Sequence, residues 1–413
     1  MNPIKPIISA VCLWGILLWP GTSVSAEIND WVDRVDESLY VASPGGYFRS
    51  DASALLDLET YYVDQQGPGL IFGDESFFGP RLSLYLDTKL GPHFYSLLQA
   101  RFDRGFDPRF KKQDGRLDEY LIRYKPFEDS RIHFQFGKFA TVFGNWVRRH
   151  SSWDNPFINA PVPYENVTIV TDQIAPRNTE EFLNRRSVAD QKAKWLPVIW
   201  GPSYATGWSA FGALEKLDYA FELKNASVSS RPAFWRASQL RWETPTVSGR
   251  LGYRPNAAWD LGSSFSLGGY LHPKAGSNLR PDKEIGDYLQ VTLGPDFSYA
   301  WRHWQFWAEV FWSRFEVPNV GDADTGMYYL EAKYKLTPRF FLAARWNQQF
   351  FSKIDDGRGG RKRWDRDLFR IDAALGCRLS RHLQAKLQYD YGHQKGDLQQ
   401  GENLLAVQVT FKI

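Results

Sequence analysis

From Asn403 to Ile413, the residues Leu405, Val407, Val409, Phe411 and Ile413 alternate with Ala406, Gln408, Thr410 and Lys412. Strict period-two alternation gives a strand one apolar and one polar face. A chain that ends on such a strand, with an aromatic and an aliphatic residue on the apolar face, closes in the manner of an outer-membrane barrel. The same alternation recurs upstream. Leu383 to Tyr391 places Leu, Ala and Tyr against Gln384, Lys386, Gln388 and Asp390, and Phe369 to Leu379, Phe340 to Gln349 and Tyr328 to Lys335 repeat it.

Further segments follow near 304–315, 286–300, 262–272, 246–254, 217–225, 204–214, 131–139, 117–126, 93–103, 81–90 and 52–62. Their links alternate in length. Gly91-Pro92, Phe127 to Ser130, Glu215-Lys216, Thr337-Pro338 and Ser380 to His382 are short, whereas Glu316 to Thr325, Ser352 to Arg366 and Gln394 to Gly401 are long and polar. Short links suit periplasmic turns and long ones the outer side. The fold class predicted is therefore all-β, a transmembrane antiparallel barrel of about 16 strands with both termini periplasmic. The total becomes 18 if Trp235 to Glu243 is also a strand. Barrels of 16 to 18 strands leave an aqueous channel.

The N-terminal segment agrees with export. Lys5, the apolar run Ile7 to Trp19 and the small residues Val24-Ser25-Ala26 predict a signal peptide over 1–26, cleaved before Glu27. Residues 27–50 are expected to form a periplasmic segment, with Trp31, Val35 and Leu39 at helical spacing, and 51–413 the barrel. Loss of the signal removes Lys5 and no acid, so the net charge falls from +3 to +2, which gives no reason to invoke nucleic acid. The same cleavage takes Cys12 and leaves Cys377 without a disulfide partner in the chain. Aromatic residues make up 16% of the chain, 17 of them Trp. Dispersed on alternate positions, they hide membrane affinity from the weakly negative mean hydropathy. Trp301, Trp304 and Trp312 fit interface girdles. Trp307, Phe311 and Tyr85 fall on the inner phase, where a ring could stack on a sugar.

The longest gap between strands, 140–203, lies after the fifth strand, where general porins resemble this chain in placing a constriction loop. Within it, Arg148 and Arg149 precede Trp153, Pro156, Phe157, Pro161 and Pro163. Paired guanidiniums in a narrow passage concentrate anions and offer bidentate contacts to phosphate or carboxylate. The alternative is that they pair with acids on the wall. On the polar strand phase, basic residues, among them Arg81, Arg101, Arg123, Arg345 and Arg370, modestly outnumber acidic ones. Rings of such residues select anions, whereas a mixture of signs forms cross-strand ion pairs. A mild anion bias is the expectation. The outer link 352–366 is also basic, with Lys353, Arg358, Arg361, Lys362, Arg363 and Arg366. No carboxylate or histidine set has metal-ligand spacing and no cofactor is expected.

The segment Phe136-Gly137-Lys138-Phe139-Ala140-Thr141-Val142-Phe143-Gly144 resembles that of phosphate-selective porins of the O and P type, in which a strand runs through a Gly-basic-Phe step into a Pro-Phe-Gly turn. Val142 stands at the proline's place. The resemblance implies a 16-stranded homotrimeric anion channel with a lysine-rich binding zone, and it adds Lys138 to the pore candidates. No lysine cluster matches that zone, since the basic residues of the long gap are mainly arginines. The expected function is passive diffusion of small hydrophilic solutes with a mild preference for phosphate-like or other small anions, and no enzymatic chemistry. Outer-membrane lipid and lipopolysaccharide are the expected partners on the outside of the barrel. Alternatives are an exporter of acidic polysaccharide, which would want 18 strands, an outer-membrane enzyme using one of histidines such as His150, and an occluded structural barrel.

Overall fold

A computed structural model describes residues 22–64, 77–103, 114–187, 194–231, 242–395 and 401–413. Its main sheet has 17 members, of which one is the three-residue strand Tyr40–Ala42 and the rest build the wall of a closed barrel. In chain order the wall strands are β1 (Phe48–Val63), β2 (Phe77–Leu90), β3 (Phe94–Asp103), β4 (Asp114–Tyr124), β5 (His133–Phe139), β6 (Ala205–Leu214), β7 (Leu217–Lys224) and β8 (Thr246–Tyr253). They continue as β9 (Trp259–Gly269), β10 (Leu289–Trp301), β11 (Trp304–Val317), β12 (Gly321–Lys335), β13 (Phe340–Phe351), β14 (Leu368–Arg378), β15 (Leu383–Gln394) and β16 (Glu402–Lys412). Each strand pairs antiparallel with its neighbours in sequence, and β1 pairs with β16 from Leu55↔Lys412 to Val63↔Leu404, which closes the ring.

Each of the sixteen overlaps a segment expected from alternation. The reason is visible in the burial. On β13, Leu342, Trp346 and Phe350 face outward while Arg345, Asn347 and Gln349 are buried inside; on β1, Leu56 and Leu58 face out while Asp57 and Glu59 face in. Because the side-chain period is two, one apolar face and one polar face fix the register of every strand. β7 pairs directly with β8, so the ring closes at sixteen without a strand from 235–243. Most of that segment lies outside the described residues. The 18-strand exporter therefore loses its structural requirement.

Two local expectations are corrected. Glu316 to Thr325 is no long link: Val317 pairs with Gly321 and the strands join in a tight turn, with Asn319 at φ 61°. Arg314 bonds Asp324 (2.7 and 2.9 Å) and Asp322 (2.9 Å), so the polar run is a ladder extending past the apolar band. Hydropathy misreads such an extension, since its outward face is polar while its inward face, Phe315, Val317 and Ala323, is buried against the inner loop. Second, the polar phase slips in β4. Gln99 pairs with Glu119 but Ala100 with Leu117, so Asp118 is an extra residue in a β-bulge. Alternation counted from Glu119 misses Arg116 and Asp118. Arg116 bonds Asp103 and Asp118, each at 2.8 Å, beside Arg101.

At the short-turn end, helix α1 (Thr22–Ser38) precedes the barrel and runs past the expected cleavage position after Ala26. Its Val32 is buried, and its Asp33 pairs with Arg381 and accepts from His382 Nε2 at 3.0 Å, in the β14–β15 turn. The chain then enters β1 through pairing of Tyr40–Ala42 with Arg49–Asp51. Among the described residues no helix is long and apolar enough to cross a membrane.

Candidate functional site

The 140–204 segment joins β5 to β6 through the interior of the barrel. Its first seven residues are received by acceptors from four wall strands. Ala140 N–H donates to Glu119 of β4 (2.9 Å), Thr141 Oγ1 and Val142 N–H to Glu222 of β7 (2.6 and 3.1 Å), and Gly144 N–H to Ser264 of β9 (3.0 Å). Asn145 N–H, Trp146 N–H (3.2 Å) and the Tyr164 hydroxyl (2.8 Å) all donate to Glu309 of β11. Beyond this row the loop meets the opposite arc. Ile158 N–H donates to Gln388 (2.5 Å), Asn159 Nδ2 to Asp390 (2.6 Å), Val162 N–H to Asn347 (3.0 Å) and Asn166 Nδ2 to Gln349 (2.6 Å). A backbone that crosses a barrel must find partners for its buried N–H groups, and inward Glu, Gln and Asn side chains supply them.

Apolar packing fixes the loop further. Phe143, Trp146, Tyr164, Ile169, Phe182 and Trp195 share one core with Phe311, Phe315, Met327, Tyr329 and Phe351 of the inner wall. Burying a large apolar side chain is worth about 1.5–3 kcal/mol, so this core outweighs any single hydrogen bond. Phe311, an expected sugar platform, is consumed here between Phe143 and Tyr164, with centroids at 5.6 and 5.8 Å. Trp307 is covered by the Arg149 guanidinium at 4.3 Å. Gly144 lets the loop pass Tyr164: its φ is +78°, and a Cβ there would overlap the Tyr164 hydroxyl. Gly144→Ala, burdened with about 1–2 kcal/mol of left-handed backbone as well as that overlap, is expected to displace Tyr164 from Glu309. Single-channel recording should then show larger, noisier conductance; a trace identical to wild type would refute the packing role.

The basic candidates occupy different settings. Arg149 pairs with Glu331 at 2.5 Å and bonds Tyr329 Oη at 3.3 Å. Arg345 and Arg370 clamp the loop: both bond Asp372 (2.5 and 2.7 Å) and the Ala160 carbonyl (3.1 and 2.6 Å), and Arg370 also pairs with Glu165. Arg81 pairs with Asp57 (2.9 Å) and Glu59 (2.5 Å), and Arg101 with Asp103 (2.8 Å) and Asp118 (3.6 Å). Lys138 is fully buried within the wall, its backbone between Tyr120 and Thr206 and its ammonium donating to the Leu117 carbonyl at 2.5 Å beside the bulge. Arg148, its side chain 41% exposed, reaches Asp218 (3.1 Å) and Asp260 (3.6 Å) in the short-turn half. Arg123 has no carboxylate within ion-pair distance among the described residues; its guanidinium bonds Gln135 Oε1 at 2.8 and 3.2 Å. Glu309, Glu222 and Glu119, the loop's anchors, were visible in the sequence only as inner-face charges, because their partners are backbone groups that no pattern marks.

Between the loop and the β1–β3 wall lies a cavity of roughly 200 Å³, lined by Glu59, Arg81, Arg101 and Asp103 on one side and by His150, Ser152 and Asn159 on the other. A second, of about 410 Å³, opens at the long-loop end beside Arg186, Lys362, Arg366 and Lys395.

His150 joins the chamber to the loop's fold. Nδ1 lies 2.5 Å from the Val147 carbonyl, so it carries the proton, and Nε2 accepts from Tyr204 Oη at 2.8 Å. Burial pushes the imidazole below its ordinary value, against the opposing pull of the Val147 carbonyl. Neutral His150 therefore stabilises the loop above the ordinary value of about 6.5. That contribution is lost as pH falls through the depressed value. Open-channel noise is expected to rise on acidification below the ordinary imidazole range, and His150→Gln should abolish that dependence; an unchanged pH profile in the variant would assign it elsewhere.

No protein-family model matches the chain, and no curated protein matches it in sequence. Solved structures match its fold. The outer membrane channel DcaP of Acinetobacter baumannii aligns over 90% of this chain and 99% of its own, with a TM-score of 0.58 and 10% identity. An anion-selective porin from Comamonas acidovorans aligns over 89% and 100%, with 0.55 and 10%. OmpT, an outer membrane protein of Vibrio cholerae, in its trimer form, aligns over 89% and 99%, with 0.55 and 10%. The likeness is one of fold, and it extends over nearly the whole length of each partner.

Proposed function

We propose that the chain is an outer-membrane porin through which small hydrophilic solutes diffuse passively, with a mild preference for anions. The observation that carries this is the loop's uneven anchorage. Its hydrogen bonds run along the wall from β4 round to β15, while toward β1 it packs through Ile158 on the Tyr61 cluster and leaves beside it a chamber bordered by Arg81, Arg101, Glu59 and His150. Flux through such a passage needs no energy source and no chemistry. Signs are mixed within the chamber, where each arginine has acid partners, but five basic side chains against two acids line the cavity at the long-loop end. Excess positive charge at a mouth raises the local anion concentration.

The short turns and both termini are assigned to the periplasm, residues 1–26 to a removed signal, and the assembly to a homotrimer, in keeping with the trimer form of OmpT. The phosphate-type resemblance rests on 136–144, whose lysine is engaged inside the wall, so phosphate specificity is not part of the reading. Proteoliposomes holding the purified protein should swell in small neutral sugars and progressively less as sugar size grows. Equal, negligible swelling for every sugar would favour an occluded structural barrel.

A further inference from the structure

The short-turn half of the lumen holds another cavity, of about 470 Å³, between the start of the loop and the β4–β8 wall. Three guanidiniums line it, those of Arg123, Arg148 and Arg254, with Asp218 as the carboxylate among them. Local charge does not cancel. Buried Arg250 already holds Asp218 (3.0 Å), Asp260 (3.0 Å) and Asp296 (2.7 Å). Arg148 and Arg254 share the first two of these acids, Arg254 at 3.4 and 3.3 Å with its side chain 52% exposed. Three acids thus serve three arginines, and Arg123 is a fourth cation, with Glu119 and Asp87 acting on it from beyond ion-pair distance and outside the cavity lining.

Arg123 is also held in a fixed pose. Nε and Nη2 donate to Gln135 Oε1, and the rings of Tyr95 and Phe211 each lie 5.0 Å from Cζ. This clamp uses one edge of the guanidinium and leaves Nη1 without an acceptor among the described residues. A planar fork on a rigid mount, beside two half-exposed arginines in a cavity of this size, suits the oxygens of a small carboxylate or phosphate.

We propose that this cavity is an oxyanion subsite, in which Arg123, with Arg148 and Arg254, holds the carboxylate or phosphate group of a passing solute and sets the anion preference. It rests on the diffusion-channel reading, and it places selectivity in the short-turn half rather than beside the ion-paired arginines of the narrow chamber.

The test uses the mature protein in planar bilayers, with Arg123→Gln, Arg254→Gln and Arg123→Lys, and with Arg314→Gln, on the long-loop ladder, as a control. Arg123→Gln is expected to lower the chloride-to-potassium permeability ratio, read from the reversal potential, by roughly twofold to fivefold. It should also weaken block by inorganic phosphate and by acetate; loss of only one block would identify which oxyanion the subsite holds. Arg123→Lys should restore the ratio but not the block, since a point charge lacks the fork. If Arg123→Gln does not fold, as judged by the heat-induced shift in gel mobility, Arg254→Gln carries the same expectation from a half-exposed position. Conducting Arg123→Gln or Arg254→Gln channels with wild-type ratio and wild-type block would overturn the subsite. A second readout does not need conduction: calorimetric binding of inorganic phosphate to the detergent-solubilised protein should be present in wild type and lost in Arg123→Gln. A silent wild-type channel that still binds phosphate in this way would refute the diffusion reading and keep the subsite.

Discussion

Glu309→Ala is expected to release the start of the inner loop and to raise single-channel conductance severalfold. One carboxylate, 1% exposed, accepts from the backbone N–H groups of Asn145 and Trp146 and from the Tyr164 hydroxyl. Its removal leaves three buried donors without a partner, at about 1–3 kcal/mol each, and opens a void beneath Phe143 and Trp146. The barrel itself should survive, because the ladder of β10, β11 and β12 does not depend on this side chain. Glu309→Gln keeps an acceptor and should fall between the two. Recording at constant salt decides the matter: if the alanine variant conducts as wild type does, the loop is not held at Glu309.

Asp372→Ala is expected to cost stability rather than to open the channel. Asp372, fully buried, accepts from Arg345 (2.5 Å), Arg370 (2.7 Å) and Asn347 (2.9 Å), and those two arginines carry the Ala160 carbonyl. Deleting one partner of a buried ion network strands the remaining charges, at about 3–5 kcal/mol. Arg345 keeps Glu331 at 3.5 Å and Arg370 keeps Glu165, which puts the loss toward the lower end. Urea unfolding of the detergent-solubilised protein, followed by the heat-induced mobility shift, should show the midpoint well below wild type. A change within about 0.5 kcal/mol, the level of an ordinary surface substitution, would mean the two guanidiniums re-pair without Asp372.

Why the wall was legible and the interior was not follows from range. Leu405 to Ile413, or Leu342 and Trp346 against Arg345 and Asn347, state their faces in consecutive residues, and closure then needs only an even number of such segments. The β4 bulge at Asp118 broke that rule with one inserted residue and hid Arg116. The ladder around Val317 broke it because there the outward face is polar and the inward face, with Val317 and Ala323, is buried against the loop. Inside, the contacts are non-local: Glu309 meets Asn145 across 164 positions and Gln388 meets Ile158 across 230. Arg148 and Arg149 are neighbours in sequence, yet one faces the short-turn half and the other is locked on Glu331. Adjacent charge said that cations were present; only the fold says which have acids to spare.

On the proposed function, a loop crossing the barrel narrows, without closing, a passage that favours anions. Single-channel recording of the mature protein in a planar bilayer, with the reversal potential taken under a potassium chloride gradient, tests it most directly. Stepwise conductance well below that of the Glu309→Ala variant, with a reversal potential on the chloride side, is the expected result. A silent bilayer, or open channels that prefer potassium, would contradict it.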